Sequence, residues 1–119
     1  MPEDTSSGEV GAVTSFNEAI NARDLDRLAE MMTDTHRFVD SAGASIDGKL
    51  ACVDAWRGFF VAFPDYRNVF EECRREGDGL VFVRGHSECS VAFLDGPAEW
   101  HVVVRDGLVD QWQVFDPST

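Results

Sequence analysis

The sequence predicts a single α+β domain, with three helices and one short strand followed by a meander of strands. Apolar residues recur at helical spacing through the first half of the chain. In the second half, Asp-Gly pairs separate alternating apolar runs, a strong hairpin signal. A chain of 119 residues, 44% hydrophobic and 27% charged, is typical of one globular domain.

The three helices are predicted from periodicity and capping residues. A polar segment, residues 1–8, is expected to be flexible, and the single domain is expected to span residues 9–119. The first helix is predicted over about Glu9–Ala22. Asp24 is a good N-cap for a second, short helix over residues 25–32. The third helix is predicted over about residues 47–62, where aromatic residues form one stripe.

The predicted strands are short runs bounded by turn residues. The early strand is predicted at Arg37–Asp40, and it ends at the turn sequence Ser41-Ala42-Gly43. The later strands are predicted at Tyr66–Arg75, Leu80–Phe93, Ala98–Val104 and Leu108–Phe115.

The turn at Asp95-Gly96 predicts which strand face is buried. A two-residue loop there would set Cys89 opposite Val102 and Ser87 opposite Val104. The other face of these strands carries charged and polar side chains, among them Arg84, His86, Glu88, Glu99 and His101. Burying so many charges would be costly, so we expect the first face to pack against the helices.

The last turn leaves two registers open. A two-residue loop at Asp106-Gly107 would turn Trp112 outward, whereas a three-residue loop that includes Arg105 would set Trp112 opposite Trp100. The binary pattern favours the second register. We therefore expect Trp100 and Trp112 to pair on the concave, helix-covered face.

Composition argues against several classes of function. A net charge of −12 disfavours nucleic acid and anionic membranes as partners. No apolar run approaches the roughly 20 residues of a membrane span, and the N-terminal residues lack a signal-peptide pattern. The odd set Cys52, Cys73 and Cys89 suggests reduced thiols in a cytoplasmic protein. No metal-binding spacing or glycine-rich phosphate loop occurs, so we expect no metal and no cofactor.

Four segments carry a resemblance to a known family. They are Phe16–Leu28, Phe38–Asp40, Phe63–Tyr66 and Arg105–Val109. Together they resemble the nuclear transport factor 2-like superfamily and, within it, the SnoaL-like polyketide cyclase and ketosteroid isomerase group. The resemblance implies a cone, in which a curved, mostly antiparallel sheet wraps around three helices and leaves an apolar pocket, as in cystatin-like α+β rolls. It also implies that members often dimerise through the outer face of the sheet.

The resemblance places Asp40 at the position of the general base of ketosteroid isomerases. It also implies two oxyanion donors, but Phe16 and Trp100 stand at their positions. Phenylalanine donates no hydrogen bond, and the loss of one such donor costs about 10²–10³ in rate. We therefore expect proton transfer of another kind and consider steroid isomerisation unfavoured.

The predicted site has a catalytic candidate, Asp40, and a ligand pocket. The predicted pocket residues are Phe16, Trp56, Phe60, Tyr66, Asn68, Cys89, Trp100, Val102, Trp112 and Asp116. Asp40 has a second interpretation, as the residue that holds the loop at Ser41-Ala42-Gly43 through backbone hydrogen bonds. The aromatic residues could equally fill a small core.

Two functional hypotheses follow. The first is a cofactor-independent acid/base enzyme, of isomerase, dehydratase or cyclase type, acting on a small apolar metabolite. The second is a non-catalytic ligand-binding or dimerisation module of the same fold. In both cases we expect a homodimer formed through the outer sheet face, which bears His86, Glu88, His101 and Gln113.

Overall fold

The computed structural model describes residues 4–117. Its helices are α1 (Asp4–Ala22), α2 (Leu25–Glu30) and α3 (Lys49–Ala62). Its strands are β1 (Met32–Val39), β2 (Ser45–Asp47), β3 (Arg67–Gly77), β4 (Leu80–Glu88), β5 (Gly96–Arg105) and β6 (Leu108–Phe115), and a single 3₁₀ turn covers Ala92–Leu94.

The six strands form one curved sheet in the order β2-β1-β6-β5-β4-β3. Neighbouring strands are antiparallel except β1 and β6, which run parallel. The helices cover one face, and the core lies between them and the sheet. The predicted α+β class with a mostly antiparallel sheet around three helices is therefore confirmed.

Several element ends differ from their predicted positions. Helix α1 begins at Asp4, within the segment predicted to be flexible, while residues 1–3 of that segment lie outside the described part of the chain. The Asp24 cap is confirmed, because its Oδ1 accepts a hydrogen bond from the Arg27 backbone N–H at 3.1 Å. Strand β1 is longer than predicted because pairing with β6 extends it to Met32.

The predicted register between β4 and β5 is wrong. Strand β4 ends at Glu88 and residues 89–95 form a longer connection, so Ser87 pairs with Gly96 and Val83 pairs with Trp100. Cys89 is therefore not opposite Val102. The buried face is nevertheless as predicted, because the register shift is an even number of residues and an even shift preserves side-chain parity.

The last turn combines features of both predicted registers. Asp106 and Gly107 form a two-residue loop with positive φ angles of 55° and 79°, and Arg105 pairs with Leu108. A β-bulge between Val103 and Val104 then shifts the register by one residue. Because of the bulge, both Val109 and Trp112 of β6 face the core.

As a result, Trp100 and Trp112 both lie on the helix-covered face, but they are not directly paired. Trp112 is opposite Val102, and Trp100 is opposite Val114. Both indoles are almost fully buried and share contact with the Phe70 ring, at centroid distances of 5.0 and 6.2 Å. These large side chains anchor the core, since burying each contributes on the order of 2–3 kcal/mol.

Two further observations concern the residues that the structure describes. Within residues 4–117, no helix combines the length and apolar content that crossing a membrane would require. Among the same residues, no group of His, Cys, Asp and Glu side chains is clustered closely enough to hold a metal ion.

Candidate functional site

One edge of the sheet gathers the residues of the candidate site. Because β1 and β6 are parallel, both end at the same edge, which places Asp40 and Asp116 there. The antiparallel pairings bring the end of β4 and the start of β5 to this edge as well. The 89–95 connection, including Asp95, therefore lies at the same edge as Asp40 and Asp116.

A cavity of about 660 Å³ opens at this edge. Helix α3 contributes Trp56 and Phe59 to its wall and Phe63 follows at the end of the helix, while Trp100 and Trp112 reach the wall from the sheet. The volume lies within the range of about 300–1,000 Å³ that is usual for small-molecule sites. A mostly apolar lining is also typical of such sites. Its polar lining residues include Asp40, Ser41, Tyr66, Ser87, Asp95 and Asp116.

Asp40 is held by the loop that follows β1. Its Oδ1 accepts hydrogen bonds from the backbone N–H groups of Ala42 and Ala44, at 2.9 and 3.0 Å. Its own backbone N–H donates to the Ala44 carbonyl at 2.9 Å. Within residues 4–117, Oδ2 has no hydrogen-bond partner. One oxygen thus fixes the loop, and Asp40 itself lines the cavity.

The other two carboxylates, those of Asp95 and Asp116, also line the cavity. Asp95 Oδ1 accepts a hydrogen bond from the Cys89 backbone N–H at 2.9 Å and so fixes the 89–95 connection. Asp116 is exposed at the end of β6 and lines the cavity. The opening of the cavity is therefore acidic, whereas its wall is apolar.

A buried hydrogen-bond network extends from the cavity wall to α1. The Tyr66 hydroxyl lies 3.3 Å from Ser87 Oγ, and Ser87 Oγ donates to Asn68 Oδ1 at 2.8 Å. Asn68 is bound in turn by Asn17 and Asn21 of α1. Burial raises the pKa of Tyr66, although its hydrogen-bonding partners oppose the shift, so the phenol stays protonated at neutral pH.

Two buried ring nitrogens have no partner among the described residues, Nε1 of Trp56 and Nε2 of His36. Trp56 lines the cavity and packs edge-on against Phe38 and Phe59. His36 is fully buried in the core instead, where its Nδ1 lies 2.7 Å from the Val109 carbonyl oxygen. His36 is therefore a core residue that does not line the cavity.

The structure brings Asp40 together with Trp56, Tyr66, Trp100, Trp112 and Asp116 around the cavity. The other residues predicted for the pocket do not line it, and they are Phe16, Phe60, Asn68, Cys89 and Val102.

Packing explains most of these differences. Phe16 is fully buried against Trp112, with ring centroids 4.8 Å apart. Phe60 packs against Trp56 at a centroid distance of 5.5 Å, and Asn68 lies behind Ser87.

Strand register and loop length explain the other two. Val102 lies deeper in the sheet, where it pairs with Val81 and Trp112. The long 89–95 connection carries Cys89 out of the sheet, and its Sγ lies 3.4 Å from Asp65 Oδ1.

Sequence reasoning missed several parts of the cavity, of which Ser87 and the 89–95 connection are the most informative. Ser87 was expected to point inward but was not assigned to the pocket. The connection that carries Phe93 was assigned to a strand and a tight turn. The polarity of Ser87 on an otherwise apolar strand face was the signal that pointed to it.

The two remaining histidines lie on the helix-free face of the sheet. His86 is bound between Glu88 and Glu71, with ring nitrogens 3.0 and 2.9 Å from carboxylate oxygens. These hydrogen bonds, first that of Glu88 and then that of Glu71, raise the pKa of His86. The His101 ring lies between Phe82 and Phe115, at centroid distances of 5.1 and 4.5 Å.

Solved structures share this fold. A proposed polyketide cyclase from Sinorhizobium meliloti is 20% identical with a TM-score of 0.78, over 87% of this chain and 93% of that one. A proposed ketosteroid isomerase from Kribbella flavida is 14% identical, also at 0.78, over 92% and 78%. An NTF2-like protein of unknown function from Mesorhizobium loti is 21% identical at 0.77, over 97% and 95%. No curated protein matches.

The sequence itself matches one protein family across most of its length. The matched region runs from residue 13 to residue 114, which includes β1 to β5 and all of β6 except Phe115, together with the lining residues Asp40, Tyr66 and Ser87. Architecture and sequence therefore agree, and the chain belongs to the SnoaL-like domain family.

Proposed function

We propose that this protein is a cofactor-independent acid/base enzyme that binds a small, apolar, carbonyl-bearing molecule and uses Asp40 for proton transfer. The observation that carries the proposal is an apolar cavity lined by Asp40, whose Oδ2 has no hydrogen-bond partner among the described residues. A cavity of this size suits a molecule of a few rings.

The two oxygens of Asp40 suit this role because they differ. Oδ1 is fixed by the Ala42 and Ala44 backbone N–H groups, which sets the direction of the carboxylate. Oδ2 can accept a proton from a carbon beside a carbonyl and return it to another position of the same molecule, so that no cofactor is consumed. Isomerisation, dehydration and cyclisation can all begin with such a step.

A second candidate function is ligand binding without catalysis. The same pair of backbone hydrogen bonds favours it, because an aspartate that accepts two N–H groups from the following loop has a sufficient structural role. In that case the cavity would hold a ligand, and Asp40 would only shape its opening.

Two substitutions at Asp40 separate these functions. Asp40→Asn retains one acceptor oxygen for the loop but cannot act as a base, whereas Asp40→Ala loses both abilities. Asp26→Asn, at an exposed position in α2, is the matched control. The assay is deuterium incorporation from D₂O into polyketide-like, steroid and terpenoid ketones, combined with equilibrium binding of each ketone.

Catalysis predicts that Asp40→Asn still binds the ketone but exchanges deuterium about 10²–10⁴-fold more slowly than wild type and Asp26→Asn. Binding with the same exchange rate in all three proteins would support the non-catalytic function. If no ketone binds to the wild type, both candidate functions are refuted.

We also propose that two copies of the chain associate through the outer sheet face. The face includes His86, Glu88, His101 and Gln113, and the partly exposed rings of Phe82 and Phe115 flank His101. Half-buried aromatic side chains on the helix-free side of a sheet are typical of interface cores.

A further inference from the structure

The hydrogen-bond directions behind the cavity wall can be worked out from one backbone carbonyl. The Asn68 carbonyl oxygen can only accept hydrogen bonds, so the Asn17 nitrogen that faces it, Nδ2 at 3.3 Å, must donate. The other atom of that amide, Asn17 Oδ1, therefore faces Asn68 Nδ2, which donates to it at 3.1 Å.

This assignment fixes the Asn68 side chain. With its Nδ2 directed at Asn17, its Oδ1 is directed at Ser87 and must accept the Ser87 hydroxyl proton, at 2.8 Å. A second helical amide supports the arrangement, because Asn21 accepts from the Asn68 backbone N–H and donates to its carbonyl, both at 2.9 Å.

The last hydrogen bond of this network, between Tyr66 and Ser87, lies at the cavity. A serine hydroxyl has a single proton, and Ser87 has committed it to Asn68, so Ser87 can only accept from Tyr66. The distance of 3.3 Å is long for an O–H···O bond, whose usual length is about 2.7–2.8 Å. The hydrogen bond from the Tyr66 hydroxyl to Ser87 is therefore weak, and both residues line the cavity.

We propose that the Tyr66 hydroxyl, oriented by Ser87 and Asn68, is the donor that binds the carbonyl oxygen of the ligand. The inference rests on the proposed function, because it names the polar group that the same cavity recognises. It also supplies a hydrogen-bond donor in a chain whose first helix has Phe16, with no donor, facing the core.

Burial makes this donor effective. Tyr66 and Ser87 are each more than nine-tenths buried, so a hydrogen bond formed there competes with little water. The raised pKa of Tyr66 keeps its proton in place at neutral pH. An apolar wall that carries an oriented hydroxyl donor selects molecules that have an acceptor oxygen at one end.

The test uses two probes of similar shape, 2-acetylnaphthalene and 2-ethylnaphthalene, with wild type and Tyr66→Phe. Only the first probe has a carbonyl. Equilibrium dialysis gives the affinities, and the infrared carbonyl stretch of bound 2-acetylnaphthalene reports whether its oxygen accepts a hydrogen bond.

We expect Tyr66→Phe to weaken binding of the ketone about 3- to 10-fold and to leave binding of the hydrocarbon unchanged. The carbonyl stretch should be lowered in wild type and return towards its value in an apolar solvent in the variant. Because the hydrocarbon controls for changes in cavity shape, the difference between the probes isolates the hydrogen bond.

Two results would overturn the inference, and they differ in what they imply for the proposed function. If both probes bind and the substitution affects them equally, or affects neither, Tyr66 does not bind the carbonyl, but the cavity still binds small molecules. If neither probe binds to the wild type, the inference and the proposed function fail together.

Discussion

Gly85 is the position at which a single added methyl group should damage the fold most. It lies in β4 opposite Phe70, next to the β-bulge between Phe70 and Glu72 in the neighbouring strand. A Cβ atom at Gly85 would lie 2.0 Å from the Val69 carbonyl oxygen and 3.1 Å from both the Glu71 nitrogen and the Phe70 Cα. All three are backbone atoms, so no side chain can rotate away.

The magnitude follows from the distance. A Cβ atom essentially never lies closer than 3.0 Å to a backbone atom, so Gly85→Ala requires a backbone movement of at least about 1 Å. Overpacking costs about 1–3 kcal/mol in typical cases, and a fixed backbone places this substitution at or above the upper end. For a domain of this size, about 3 kcal/mol corresponds to a fall in Tm of roughly 10 °C or more.

Gly58 provides a matched control. It is exposed within α3, and a Cβ there would meet no atom within 4 Å. Gly58→Ala should therefore raise stability by about 0.5–1 kcal/mol through the higher helix propensity of alanine. Thermal and urea unfolding of both variants measure the difference. A Gly85→Ala protein as stable as wild type would refute the backbone contact on which the prediction rests.

Two other predictions concern pH and assembly. His36 is buried and burial lowers its pKa from 6.5, although its hydrogen bond to the Val109 carbonyl and the charge of Asp110 oppose the shift. Below pH 6.5 the unfolded chain therefore binds a proton at His36 more readily than the folded chain does. The contribution of His36 to the free energy of unfolding is present above pH 6.5 and is lost by up to about 1.4 kcal/mol per pH unit as the pH falls below this value. Urea unfolding at several pH values should show this loss in wild type but not in His36→Gln; equal slopes would contradict it. For the outer sheet face, light scattering should give a dimer mass at micromolar concentration that His101→Glu shifts to the monomer, and a monomeric wild type would refute the interface.

Much of the fold was predictable because side-chain parity is robust. The alternation of apolar residues in β4 and β5 identified the buried face, although the register between these strands was wrong. The Trp112 position shows the same point, because the bulge after the last turn compensated for a loop that is one residue shorter than predicted. The burial pattern therefore depends more strongly on hydrophobicity than on the details of any turn.

The site was less predictable, because it depends on contacts between distant segments. The two oxygens of Asp40 differ only because the following loop folds back on one of them. The polar wall depends on Asn17 and Asn68, which are 51 residues apart and have no periodic signal that links them. A sequence pattern indicates a buried amide or hydroxyl only where a polar residue stands at a position that the pattern predicts to be apolar.

The segment that sequence reasoning misassigned is also the segment that shapes the opening of the cavity. A tight turn after β4 would connect it to β5 with the fewest residues. The chain instead has a longer connection, residues 89–95, which is fixed by the Asp95 side chain. Phe93 in this connection lines the cavity and is 81% exposed, a position that costs free energy in water and contributes little to the core. Local rules are expected to fail where a sequence serves a ligand and not only the fold. Because an apolar molecule at the opening would cover this ring, the departure from the simplest hairpin supports the cavity as the functional part of the molecule.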